Sequence, residues 1–129
     1  MIIDASALLA IALQEAEGDT FLDLIERDPV RLISVASMLE SAIVVESRLG
    51  LAAGEDLDEL VTRMGLEMEP VTVDQLRIAR VAYRRYGKGN HPAGLNFGDC
   101  FSYALAKAFG EPLLFKGDDF SRTDIAVCR

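Results

Sequence analysis

Histidine occurs once, as His91, and cysteine twice, as Cys100 and Cys128, in a chain of 129 residues. With a single histidine, in a loop beside Pro92, a Ser-His-Asp triad or a histidine-rich zinc site lacks parts. The cysteines show no CxxC spacing, and Cys100 lies within an apolar helical pattern. It reads as a buried free thiol rather than a disulfide partner or zinc ligand. Neither GxxxxGK followed by Ser or Thr, nor GxGxxG, is present, so nucleotide phosphates have no glycine cradle. No apolar run approaches the ~20 residues a spanning helix needs, which excludes a helical membrane anchor. The opening Met1-Ile2-Ile3-Asp4 has no basic segment of the kind a secretory signal carries, so a cytosolic protein is expected. Repeats, linkers and low-complexity stretches are also missing. Sparse proline and a half-hydrophobic composition predict one globular domain spanning residues 1–129.

Positive charge is in short supply too. The net charge is −8, from 21 acids against 13 bases, and that balance taken alone argues against a nucleic-acid binder. Its distribution softens the point. Between Gln75 and Gly98 there is no acid, yet Arg77, Arg80, Arg84, Arg85 and Lys88 all occur. Such a block either holds phosphates or forms a solvated helix face. Tyr83, Tyr86 and His91 in the same stretch either stack on bases or, for the tyrosines, pack in the core.

What is present is an alternation of short apolar runs and helical periods. Ile2-Ile3 reads as a buried strand closed by Asp4. Ser6 is placed to cap a helix running from Ala7 to about Gln14. Phe21, Leu24 and Ile25 mark a second helix from about Asp19 to Arg27, stopped by Pro29. Residues Arg31 to Ser34 read as the second strand. Met38, Leu39, Ala42, Ile43 and Leu49 mark a helix of about thirteen residues ended by Gly50. Leu57, Leu60, Val61 and Met64 give a fourth helix, and a third strand holds Leu66, Met68 and Val71. Leu76 to Tyr86 gives a fifth helix, and Phe97 to Ala108 a sixth with Gly110 beyond it. Leu113-Leu114-Phe115 is a fourth strand, and Ile125-Ala126-Val127 is read as a fifth. Strands separated by helices of this length require right-handed crossovers, so the predicted fold is a three-layer α/β/α domain on a parallel sheet of four to five strands.

In such a fold the ligand crevice lies beyond the carboxyl ends of the strands, where strand order reverses. Asp4, Glu40, Asp99 and the pair Asp118-Asp119 all fall at strand-to-helix or strand-to-turn junctions. Each has a plainer explanation. Asp4 suits a tight turn ahead of Ser6. Ser37 and Glu40 match the S-x-x-E capping box. Asp99, three residues after Asn96, would stabilise a helix start through its dipole. Gly117-Asp118-Asp119 reads as a turn. Their joint placement at one sheet edge is harder to explain that way. Two carboxylates ~4 Å apart repel by ~4 kcal/mol at an effective dielectric near 20. Four would therefore need a counter-charge or protonation. Mg²⁺ or Mn²⁺ supplies that charge and prefers oxygen ligands. Such a site points to phosphodiester hydrolysis by an activated water.

The opening MIIDASALLAI, the SxxSMLESAIV segment around Glu40, the stretch YGKGNHPAGLNFGDCFSYALAKAFGEPLLFKGDDF and the closing TDIA together resemble a PIN-domain ribonuclease. More narrowly, they resemble a VapC toxin of a bacterial type II toxin–antitoxin pair. The likeness covers essentially the whole chain, and LNFGDCFSYALAK and LLFKGDDF are its most specific stretches. The resemblance implies an endoribonuclease that uses Mg²⁺ or Mn²⁺. Asp4 and Asp99 would be direct metal ligands, with Glu40 and Asp119 completing the pocket and activating water. Asp118 stays a second choice for the fourth acid, and Ser6 matches a small hydroxyl position that supports the metal site. A homodimer, an RNA substrate and a cognate VapB-type antitoxin are implied as partners, and no membrane. The alternative of another class is a PIN-like module that binds a protein and cuts nothing. It has no need of four acids at one edge.

Overall fold

Four short strands, β1 (Ile2–Ile3), β2 (Leu32–Ser34), β3 (Glu67–Glu69) and β4 (Leu113–Leu114), pair in parallel in the order β3-β2-β1-β4. The structure is a computed structural model describing residues 1–128. Among the described residues six α-helices connect the strands: α1 (Ala5–Ala12), α2 (Gly18–Arg27), α3 (Val35–Leu49), α4 (Leu51–Arg63), α5 (Val73–Tyr86) and α6 (Phe97–Phe109). The two-residue period of a strand sends neighbouring side chains to opposite faces. Ile3, Ile33 and Leu114 enter one core with Leu8, Ile25, Val45, Leu57 and Val61, from α1 to α4. Ile2, Leu32 and Leu113 enter the other with Ala82, Tyr86, Tyr103 and Leu105, from α5 and α6. That double coverage makes the predicted three layers and explains why β1 and β4 are apolar at every residue. Among the described residues no helix is long and apolar enough to cross a membrane.

Among the described residues the sheet stops at four strands. Val127 makes only an isolated parallel bridge to Leu113, with Leu113 N–H donating to Ala126 O and Cys128 N–H to Leu113 O. The segment before it is held elsewhere. A 3₁₀ turn, Phe120–Arg122, buries Phe120, and Asp124 accepts hydrogen bonds from Tyr103 (2.6 Å) and Lys107 (2.9 Å). The third strand is also shifted. Leu66 is buried just ahead of it and exposed Val71 lies beyond it, while Glu67 and Met68 face solvent on this edge strand.

Helix starts differ from the sequence reading in three informative places. Asp4, not Ser6, caps α1, its side chain accepting from Ser6 N–H. Ser34, the last residue of β2, caps α3 through Ala36 N–H, so α3 runs for 15 residues. Ser37 therefore lies inside the helix, buried, and the Ser37–Glu40 capping box does not form. The fourth helix likewise begins early, at Leu51, because Gly50 takes φ +93° and reverses the chain at once.

This topology sets where a site can form. With all strands parallel, β1, β2 and β4 end at the same edge. α1 and α3 begin there, and α6 must also begin there, because it carries the chain back to start β4. Strand order reverses between β1 and β4, so the crevice lies at the end of β1.

Candidate active site: four carboxylates at the strand ends

Asp4 is buried, with 5% of its surface exposed. Its Oδ2 accepts from Ser6 N–H (3.0 Å) and from Ser6 Oγ–H (2.6 Å), and its Oδ1 accepts from Ser102 Oγ (2.5 Å). Ser6 Oγ in turn accepts from Lys116 N–H (3.0 Å), which ties the turn after β4 to the end of β1. Asp99 forms a full capping box with Asn96. Its Oδ2 accepts from Asn96 N–H (3.0 Å) while Asn96 Oδ1 accepts from Asp99 N–H (2.9 Å). The capping explanation for Asp99 thus holds, and it leaves Oδ1 free to face the crevice. For Asp4 the turn explanation holds as well, without excluding a further role.

A cavity of 250 Å³ is lined by Asp4, Ser6, Leu9, Glu40, Asn96, Asp99, Lys116, Asp119 and Phe120. The four expected acids therefore meet in one place, although they lie at opposite ends of the chain. Asp119 lines the cavity and Asp118 does not; the Asp118 carbonyl accepts from Ser121 N–H and Oγ. The electrostatics agree with the geometry. Burial lifts the Asp99 carboxyl to about 7 against the pull of the Asn96 N–H, and the charges of Asp4, Asp119 and Glu40 push it the same way. Glu40 is raised too, by burial and then by Asp4.

Among the described residues lining the cavity only Lys116 is basic, and its ammonium is turned away onto Glu15 (3.3 Å) and Glu17 (3.5 Å). The donor set is thus carboxylate oxygen with excess negative charge, which suits a hard cation such as Mg²⁺ or Mn²⁺. Among the described residues no three Asp, Glu, His or Cys side chains close into a cage by themselves. The fit is to a hard ion that keeps several waters, as Mg²⁺ does.

Three contributors carry no obvious local signal. Ser102 and Lys116 are described above. Gly98 is the third, because a Cβ there would overlap the Glu40 carboxylate. The only hint in the sequence is its place, one residue before Asp99 in a first helical turn. Gly98→Ala is expected to displace Glu40, a flexible side chain, rather than to unfold the domain. Turnover at the site should fall about tenfold or more in this variant, a cost of ~1.4 kcal/mol in the transition state, with the melting temperature little changed. An unaltered rate would show that Glu40 need not lie against α6.

Other residues singled out from sequence sit apart from this cavity. His91 packs edge-on against Tyr86 and its Nδ1 accepts from Ala93 N–H, a structural role. Tyr86 is buried, whereas Tyr83 is exposed. Cys100 is a free thiol bonded to Asn96 O (3.3 Å) and held unreactive by burial and by the nearby Asp99 charge, which raise its pKa. Arg80, Arg84, Arg85 and Lys88 are exposed, as is Arg77, which pairs with Asp74.

Fold and site together define a parallel α/β domain with an acidic crevice at its switch point. The family model described as PIN domain matches residues 1–126. Ribonuclease VapC of Mycolicibacterium smegmatis is 54% identical over 127 residues, covering 98% of each chain. Ribonuclease VapC30 of Mycobacterium tuberculosis is 52% identical over 127 residues, covering 98% of this chain and 97% of its own. The crystal structure of Mycobacterium tuberculosis VapC20, titled a sarcin-ricin loop cleaving toxin, superposes with a TM-score of 0.80 at 21% identity, covering 99% of this chain and 98% of that one. The chain belongs to the PIN-domain family and, within it, to the VapC ribonucleases.

Proposed function

We propose that this chain is a metal-dependent endoribonuclease and the toxin of a type II toxin–antitoxin pair, working in the cytoplasm. One observation carries the metal-dependent reading: four carboxylates from distant parts of the chain share one cavity, and the only lysine there is paired elsewhere. Asp99 would hold Mg²⁺ or Mn²⁺ through Oδ1, which its capping bond leaves free, and Asp4 through the lone pair that remains on its own Oδ1 beside the Ser102 bond. When bound, the ion supplies Lewis acidity toward a phosphodiester oxygen and lowers the pKa of water. Glu40 and Asp119 have no hydrogen-bonded partner for their carboxylates among the described residues and face the same crevice, so they are placed to orient the attacking water and take its proton.

Two surfaces support the partner side of the reading. Exposed Leu39, Ile43 and Phe97 line an apolar groove of 440 Å³ that shares Glu40 with the acidic cavity, and we assign this face to a homodimer contact. The exposed bases of α5 lead into the loop before α6, and we assign them to RNA phosphates. An acidic surface elsewhere fits a basic VapB-type antitoxin.

The test is cleavage of single-stranded RNA by the purified protein. Mn²⁺ or Mg²⁺ should support it, EDTA should abolish it, and added metal should restore it. Asp119→Asn should slow it by about 10²-fold, whereas Asp118→Asn should stay near wild type. Cleavage that survives EDTA would reject the metal reading. Growth arrest on expression, relieved by the neighbouring gene, tests the toxin role.

A further inference from the structure

We propose that Ser102 is a positioning residue for Asp4, with Ser37 setting the direction of its hydroxyl. The inference rests on the reading of Asp4 as a cation ligand. Ser102 lies on α6 three residues after Asp99 and is fully buried, and Ser37 on α3 is 3% exposed. Their Oγ atoms are 3.2 Å apart, and Ser102 Oγ lies 2.5 Å from Asp4 Oδ1. An ionised carboxylate only accepts, so Ser102 must be the donor to Asp4. With its one proton committed, Ser102 must accept from Ser37. The order Ser37 to Ser102 to Asp4 is therefore fixed by proton counting. Ser41 Oγ donates to the Ser37 carbonyl at 2.9 Å within α3.

The same counting shows what Ser102 achieves. A carboxylate has about four acceptor directions, two on each oxygen. Ser6 takes both on Oδ2 through its N–H and Oγ–H, and Ser102 takes one on Oδ1. A single lone pair on Oδ1 remains to face the crevice. Asp4 is thereby restricted to one-point ligation in one direction, and Ser102 is the bond that stops the carboxylate from turning. Partners of this kind typically alter metal affinity or activity by about 10–100-fold when removed.

The experiment compares wild type, Ser102→Ala, Ser102→Thr and Ser37→Ala. Mn²⁺ affinity is read by electron paramagnetic resonance, cleavage by kcat and KM, and the Asp4 carboxylate by crystal structures without metal. Ser102→Ala should bind Mn²⁺ about 10–100-fold more weakly, lower kcat with little change in KM for RNA, and show a rotated Asp4 carboxylate. Ser102→Thr, which keeps the hydroxyl, should recover most of the loss, and Ser37→Ala should show a smaller loss in the same direction. Should Ser102→Ala not fold, Ser37→Ala decides the matter alone. A folded Ser102→Ala protein with wild-type Mn²⁺ affinity and an unmoved Asp4 overturns the proposal. If wild type binds no Mn²⁺, the cation reading fails instead, and the Asp4 orientation still decides the role of Ser102.

Discussion

Asp99→Asn is expected to lower RNA cleavage by about three orders of magnitude or more, equivalent to ~4 kcal/mol of transition-state stabilisation, while the domain stays folded. The asymmetry follows from how Asp99 is held. Its Oδ2 accepts the Asn96 N–H to close the capping box, and an asparagine carbonyl can accept that same bond. What disappears is the charge facing the crevice. Asp4→Asn should abolish cleavage as well but is a less clean variant. Asp4 accepts three hydrogen bonds on its two oxygens, and an amide nitrogen cannot accept any. One of its buried partners is then left facing a donor, at ~1–3 kcal/mol in stability. Single-turnover cleavage with Mn²⁺, alongside urea unfolding, separates the two effects. Wild-type turnover by Asp99→Asn would remove this carboxylate from the site.

The second large effect concerns stability in the absence of divalent ions. Asp99 titrates at about 7 in the folded chain, against an ordinary value of 3.8. The folded protein thus keeps this proton more tightly than the unfolded one. Below pH ~4 both states carry it and there is no penalty. As pH climbs toward 7 the unfolded chain releases the proton first, so stability falls, and above 7 the loss is complete. The full shift would correspond to ~4 kcal/mol, but the carboxyl is partly open to solvent and screening brings this to on the order of 1–2 kcal/mol. Melting temperatures in EDTA should therefore decline from pH 4 to pH 8, and Asp99→Asn should flatten that decline. Mn²⁺ should raise the melting temperature more at pH 8 than at pH 5, because it binds the ionised form. An equal slope in wild type and Asp99→Asn would show that the repulsion is dissipated elsewhere.

Much of this was legible in the sequence because local and global signals agreed. Ile2-Ile3-Asp4 and Leu113-Leu114 are apolar runs too short for helices, and parallel pairing forces their ends to one edge. Asp99, three residues after Asn96, is expected at a helix start, and there it closes a capping box. The failures have specific physical causes. Ser37 and Glu40 carry the same spacing, yet Ser34 took the cap first, because β2 runs into α3 without a loop. Ser6 lost its cap to Asp4 for a similar reason. Val127 reaches the sheet for one bridge only, since Asp124 is held by Tyr103 and Lys107 on α6. Ser102 gave no local sign, being a small polar residue on an apolar stripe. Its meaning depends on Asp4, which is 98 positions away in the chain.

The two kinds of carboxylate in the crevice are held very differently. Asp4 is locked by three donors and Asp99 by its helix cap, whereas Glu40 and Asp119 sit on the solvent side with free oxygens. The crevice resembles a vice with one jaw pinned by hydrogen bonds and one left unpinned. On the reading proposed above, the pinned jaw would set the place of bond breaking, and the unpinned one would meet the strand as it enters and leaves. Selectivity among RNAs would then belong to whatever presses on the unpinned side, which is where the groove of Leu39, Ile43 and Phe97 opens beside Glu40.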